Sequence, residues 1–250
     1  ADHVFTVSEA SRIEVAELCG IDAKKIIVTS NSVSPSFNKK FTDDERQVIL
    51  QKFGIPSGQP FFLYVGGYDE RKNVRLLVET FMKKIAPDHS VNLVLAGGKS
   101  VEHHVYASFD SLTKYKNVNT VRSRKGDLCF TGFVPEEELP ALYQSCLAFV
   151  NVSRKEGFNI CLLEAAVSGA PIVTSDLTVH REVIRDCAAY VAPDNAQELA
   201  NTLNKIIADR EFYDSLKTKI SAFDSPFSWE KTAAVVSEIY RDKSGTLFSS

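Results

Sequence analysis

Residues 147–175 read LAFVNVSRKEGFNICLLEAAVSGAPIVTS. Two short apolar runs, LAFVNV and PIVTS, bracket a longer stretch with helical patterning from about Phe158. Runs of that length are buried strands, and strand, helix, strand in succession make a βαβ unit, whose strands lie parallel. Outward on both sides the alternation repeats: FFLYVG (61–66), a helix from Asn73, VNLVLAGG (91–98), a polar helix near 100–116, LCFTG (128–132), a helix opened by Pro135, then a short helix over Val179 to Asp186 and YVA (190–192). The pattern predicts an α/β fold with about six strands in one doubly wound parallel sheet. In such sheets ligands bind at the carboxyl ends of the strands, beside helix N-termini.

Nearer the N-terminus, VFTVS (4–8) leads into a helix that Ser8 can cap and Gly20 can close, followed by IIVT (26–29). NSVSPSFNKK (31–40) is polar and proline-bearing, which predicts a linker. Thr42 and Glu45 have capping-box spacing for a helix that Gly54 ends. Further helices fill the remainder, the last from Trp229, and the tail SGTLFSS (244–250) is expected to fray. The chain opens Ala-Asp-His-Val, without an initiator methionine, directly before a strand, so a fragment of a longer protein is expected.

The 250 residues are 44% hydrophobic and 24% charged, a globular composition that excludes disorder and a bare coiled coil. Twenty-nine Lys and Arg against 32 Asp and Glu leave a net charge of −3, so nucleic acid is not an expected partner. Cys19, Cys129, Cys146, Cys161 and Cys187 show no Cys-x-x-Cys spacing and are expected to be reduced, mostly buried thiols. No run approaches the eighteen or so apolar residues of a membrane span, and a cytoplasmic protein is expected. Lys114, Lys116, Arg122, Arg124 and Lys125 form a basic run without an acid. It is either a solvated loop or the place for peripheral contact with the inner face of a membrane.

Several motifs fail on inspection. GGKS (97–100) is not a phosphate-binding P-loop, which needs glycine where Leu93 stands, and no Gly-x-Gly-x-x-Gly occurs. No Asp-x-Asp pair is present, and His103 and His104 are adjacent, hence divergent on a helix, so no metal site is expected. The sequon at Asn151 falls within a buried strand.

Two predicted strand-to-helix turns carry chemistry. In YVGGYDERKN (64–73), Gly66 and Gly67 let backbone approach a ligand, and Arg71 with Lys72 stands before the helix. A helix N-terminus repels cations, so their placement suits a bound anion such as a diphosphate. In EGFNICLLE (156–164), Glu156 and Glu164 are eight residues apart, about 12 Å along a helix. That spacing disfavours the carboxylate pair of a glycoside hydrolase and suits a longer ligand. A nucleotide sugar laid across this helix start would place its pyrophosphate on the amides of about Asn159 to Cys161, its sugar beside Glu156 and its ribose diol near Glu164. Apolar neighbours of Glu164 require a partner for its carboxylate.

With VSEASR, VGGYDERKN, FTGFVPEEELPALY, EGFNICLLEA, GAPIVTS and FSWEKTA in this order, the chain resembles the retaining glycosyltransferases of family 4, of GT-B fold. The resemblance implies that Lys72 and Arg71 bind the donor diphosphate, that Glu156 contacts the donor sugar and that Glu164 holds the ribose hydroxyls. It further implies that the backbone around Val134 meets the base and that Gly157, Phe158, Asn159, Ile160 and Cys161 supply amides. Two departures stand out: most relatives have arginine at Gly67 and glycine at Asn159. The resemblance assigns residues 1–37 to the tail of an acceptor-binding domain plus linker, 38–225 to a nucleotide-sugar-binding Rossmann-like domain and 226–250 to a C-terminal helix returning towards the first domain, with a frayed tail. It implies transfer of a hexose, without metal or cofactor, from GDP-mannose or a UDP-hexose to a glycan or lipid-linked acceptor held by the missing half; the fragment alone is expected to bind donor without transferring. A non-catalytic nucleotide-sugar-binding or scaffold subunit, and another GT-B activity such as an epimerase or phosphorylase, stay open.

Overall fold

The computed structural model describes residues 3–97 and 119–247. The helix predicted near 100–116, His103, His104, Lys114, Lys116 and all of GGKS but Gly97 lie outside the described residues. Strand β1 (Val4–Thr6), helix α1 (Glu9–Cys19) and strand β2 (Ile26–Val28) form a parallel βαβ unit with a two-stranded sheet of its own. Ser8 accepts the Ser11 amide at the start of α1, and Gly20 closes it. The segment predicted as a linker is anchored: Pro35–Asn38 form a 3-10 turn, and Phe37, 1% exposed, packs on Tyr143. Helix α2 (Asp43–Lys52) opens on the reciprocal Thr42–Glu45 capping box.

The main sheet holds β3 (Phe61–Val65), β4 (Asn92–Ala96), β5 (Thr120–Val121), β6 (Leu128–Gly132), β7 (Ala148–Asn151), β8 (Ile172–Ser175) and β9 (Ala189–Val191), in the order β5-β6-β4-β3-β7-β8-β9. Six strands are parallel, as predicted; the seventh, β5, adds an antiparallel edge and at two residues is too short to leave a periodic signal. Side chains alternate between two cores. Phe61, Leu63, Val94, Phe149 and Ile172 face one layer, while Phe62, Tyr64, Leu93, Val150 and Val173 face the other. The first layer includes α4 (Leu139–Ser145), α5 (Ile160–Ser168) and α6 (Thr178–Ile184); the second includes α3 (Val74–Lys84), α7 (Ala196–Ala208) and α8 (Arg210–Ser221). Burial on both faces is why these strands are continuous apolar runs.

Several boundaries differ from the sequence expectation. Helix α4 starts at Leu139, not at Pro135, because Pro135–Glu138 close a turn and Pro140 takes the first helical turn, where a missing N–H costs nothing. Helix α5 starts at Ile160, since Asn159 is left-handed. Helix α9 (Trp229–Leu247) continues into the tail expected to fray. No described helix is long and apolar enough to cross a membrane.

Strand ends β3 and β4 meet at Gly97, whose φ is 102° and where a Cβ would stand 2.8 Å from the Gly66 carbonyl oxygen. Gly97→Ala is therefore expected to destabilise the chain by about 3 kcal/mol, from positive φ plus a backbone clash, read as a lower urea midpoint at unchanged m. An unchanged midpoint would show that the strand ends can separate freely.

Candidate functional site

Strand order reverses beside β3: β4 and β6 step outward on one side, and β7 returns to the other. The loops leaving β3 and β7 therefore diverge from adjacent strands and open a crevice at their carboxyl ends. After β3, Gly66 donates its amide to Ala96 O at 3.0 Å, Glu70–Lys72 make one 3-10 turn, and left-handed Asn73 starts α3. Asn73 is held by its amide nitrogen on Pro193 O at 2.8 Å. The loop after β7 is tied to this turn through Arg154, whose backbone amide donates to Arg71 O at 2.7 Å and whose Nε donates to Asp194 at 2.8 Å.

Together these turns enclose one carboxylate. The Glu156 side chain is 4% exposed, with Oε1 accepting from Lys72 Nζ at 2.7 Å and Ser153 Oγ at 2.8 Å. Arg71 Nη1 approaches Oε2 at 3.5 Å, while its Nε pairs with Asp69 at 2.9 Å. Donors at these distances offset the cost of withdrawing a carboxylate this far from water. Lys72, 17% exposed, is also largely withdrawn from water, whereas Arg71 is half exposed and more strongly screened. The two basic residues and Glu156, separate in the sequence, thus form one cluster at the mouth of the crevice.

Helix α5 begins four residues after Glu156, and its first turn lies near the cluster, with Lys72 and Glu156 both acting electrostatically on Cys161. The first intrahelical bond runs from Leu162 N to Asn159 O at 3.1 Å, and helical geometry leaves the Ile160 and Cys161 amides without an intrahelical acceptor. Asn159 has φ 69°, in the region where glycine is unstrained and asparagine is the best-tolerated substitute. That explains how asparagine occupies a position where the resemblance expects glycine. Phe158 turns its ring inward, edge-on to Phe227 at 5.1 Å, so only its backbone is left for a ligand. The Gly157 carbonyl accepts from Ser8 Oγ at 2.6 Å and Ser11 Oγ at 3.0 Å, fastening the loop to the start of α1. Glu182 braces the same helix end by accepting the Glu9 and Ala10 amides at 2.8 and 3.0 Å.

Further along α5, Glu164 Oε2 accepts from Tyr143 Oη at 2.9 Å, the partner its apolar flanks demanded. Burial pushes the Glu164 carboxyl above the usual glutamate range, and the Tyr143 hydrogen bond opposes that shift. Val134, 5% exposed, packs in the same core, leaving its backbone as the only group to offer outward. Gly67 is exposed at the strand end. Sequence reasoning missed Tyr143, Ser153, Ser11 and the contact role of Ser8; contacts such as Ser8 to Gly157, 149 residues apart, leave no mark in local spacing.

Other sequence expectations sort themselves by contact. Asn151 is 1% exposed in β7 and inaccessible to a glycosylating enzyme. All five cysteines are free; Cys129 and Cys146 are buried, while Cys19 is exposed, contrary to mostly buried thiols. Of the basic run, Arg122 pairs with Asp127 at 2.9 Å and Lys125 Nζ donates to Asp88 O at 2.8 Å. Among the described residues no group of three or more His, Cys, Asp or Glu is arranged to hold a metal ion. A cavity of about 670 Å³ opens beside Tyr68, Glu79, Lys83 and Arg154 on α3's flank and includes neither Lys72 nor Glu156.

Residues 45–222, which carry this whole crevice, match the family model described as glycosyl transferases group 1. The chain belongs to that family. Among curated members, this group 1 chain is 28% identical over 239 residues to O-antigen chain mannosyltransferase B of Escherichia coli, covering 95% of this chain and 60% of that protein. It is 29% identical over 240 residues to the serotype-specific mannosyltransferase WbdA of Escherichia coli, covering 95% of this chain and 28% of that protein. The chain thus spans less than two thirds of either relative. Its fold is that of Anabaena HepE, solved with UDP-glucose (TM-score 0.74, 20% identity, 95% of this chain and 64% of that one). It is also that of sucrose-phosphate synthase from Thermosynechococcus elongatus (TM-score 0.72, 21% identity, 98% of this chain and 59% of that one).

Proposed function

We propose that the chain is the donor-binding half of a retaining, family 4 glycosyltransferase that takes a hexose from a nucleotide diphosphate sugar, with mannose from GDP-mannose the favoured donor. The observation that carries this reading is the Lys72–Glu156–Arg71 cluster, set in the crevice where the sheet reverses and facing the first turn of α5. The donor diphosphate meets Lys72, Arg71 and the amides of Ile160 and Cys161, the sugar lies by Glu156, the ribose diol bonds Glu164, and the base lies along the backbone at Val134. As the bond from the anomeric carbon to the phosphate oxygen breaks, its electron pair passes to the diphosphate, and the cations and helix dipole stabilise that growing charge. They supply the positive charge without a metal. The acceptor hydroxyl of a glycan or lipid-linked sugar, held by the other half, forms the new bond to the anomeric carbon with its configuration retained, and the hydroxyl proton ends on the released diphosphate. The mannosyltransferase relatives favour mannose, while HepE with UDP-glucose keeps UDP-hexoses as the comparison donors.

Calorimetric titration with GDP, UDP, ADP, GDP-mannose and UDP-glucose, with and without EDTA, tests the reading. Selective, chelator-indifferent binding of the guanine ligands is expected. Selective uridine binding would replace the donor, and binding of none would overturn the donor site.

A further inference from the structure

Behind the first turn of α5 lies a buried imidazole that donor binding, as described, does not use. His180 in α6 is 0% exposed. Its Nδ1 faces Ser175 O at 2.9 Å, Thr174 Oγ1 at 2.9 Å and Ser175 Oγ at 3.3 Å. A carbonyl oxygen can only accept, so Nδ1 carries the proton and Nε2 of the neutral ring presents its lone pair. That lone pair meets Asn159 Nδ2 at 2.9 Å. The amide orientation follows from the same chemistry, since a flipped Asn159 would set its oxygen against the lone pair.

The consequence for Asn159 is specific. Its side chain makes no capping bond to α5 and is turned back into the protein, while its backbone holds φ 69°. At 7% exposure, an amide without His180 would be buried and unsatisfied. The imidazole's neighbours also brace Glu156: Ser175 Oγ donates to Ser153 O at 2.6 Å, and Ser153 Oγ donates to Glu156 at 2.8 Å.

We propose that His180 and Asn159 act as one positioning pair, His180 anchoring the asparagine side chain so that the left-handed turn, and with it the Ile160 and Cys161 amides, stays aimed at the donor diphosphate. The inference rests on the donor-binding reading above. Only the neutral ring can accept from Asn159. Burial favours that form, helped by Lys72 from the 3-10 turn and opposed by the Ser175 carbonyl, by Glu156 from the β7–α5 loop and by Asp176 from the β8–α6 loop.

The test is a double-mutant cycle on donor affinity in the full chain, with GDP-mannose as the probe, or UDP-glucose where wild type binds that instead. His180→Leu orphans the Asn159 amide and is expected to weaken binding about tenfold, the scale of one buried unsatisfied group. Asn159→Gly removes that amide and suits the backbone angle, so His180→Leu/Asn159→Gly is expected to return close to wild type. Wild-type affinity should fall as His180 protonates in acid, and this limb should vanish in the double variant, a readout that simple loss of packing would not give. Thermal melts of all four proteins separate weaker binding from unfolding. Undiminished binding by His180→Leu, or additive losses in the double variant, would overturn the pairing while leaving the donor site standing. A wild type that binds no nucleotide sugar would overturn both.

Discussion

Lys72→Met is expected to weaken nucleotide-sugar binding on the order of a hundredfold, the loss of a charge-assisted contact to phosphate. It should also lower stability, because Lys72 is the nearest cation to a Glu156 side chain that is only 4% exposed. Removing one partner of such a pair leaves an uncompensated charge and costs about 3 kcal/mol. The two effects have different causes and separate in a second variant. In Lys72→Met/Glu156→Gln the stranded charge is gone, so the urea midpoint should recover while donor affinity stays low. Calorimetry and urea titration on wild type and both variants check this. Full donor affinity in Lys72→Met would remove Lys72 from the diphosphate site, and unrecovered stability would mean that it acts by packing alone.

Glu164→Gln is expected to separate stability from binding in the opposite way. The folded-state carboxyl is raised by burial, so the folded protein holds this proton more tightly than the unfolded chain does. The cost of ionising it is absent below the ordinary glutamate pKa, about 4.3, grows as pH rises through the folded value and is complete above it. The neutral amide avoids that cost, so the variant should match wild type in acid and melt at a higher temperature near neutrality. Nucleotide affinity should nevertheless fall at least about tenfold, because ribose hydroxyls lose a charged acceptor. A dideoxyribose nucleotide makes the test specific: wild type should discriminate strongly against it, and Glu164→Gln hardly at all. Equal discrimination by both would place the ribose elsewhere.

How much of this site was legible depended on the range of each interaction. Arg71, Lys72, Glu156 and Glu164 stand at turns that apolar periodicity locates, and a helix N-terminus after a strand is an anion site by geometry alone. The need for a partner at Glu164 was equally readable, since its neighbours are apolar, but Tyr143 could not be named from the pattern. His180 carried no signal at all. A histidine on a short helix is ordinary, and only the convergence of Asn159, Thr174 and Ser175 makes it a bond acceptor with one defined tautomer.

The sequence by itself determined the parallel, doubly wound sheet, the capping of α1 and α2 and the strand ends at which a ligand is expected. Those features follow from periodicity and from contacts a few residues apart. Only the tertiary structure decided that Lys72 faces Glu156, that Phe37 belongs to the core and that β1–α1 fastens to the loop at Gly157. It also decided that α5 begins at Ile160, behind a left-handed asparagine. Each of these joins groups far apart along the chain or fixes a backbone angle through such a contact, and chain spacing carries no record of either until the sheet has brought the strand ends together.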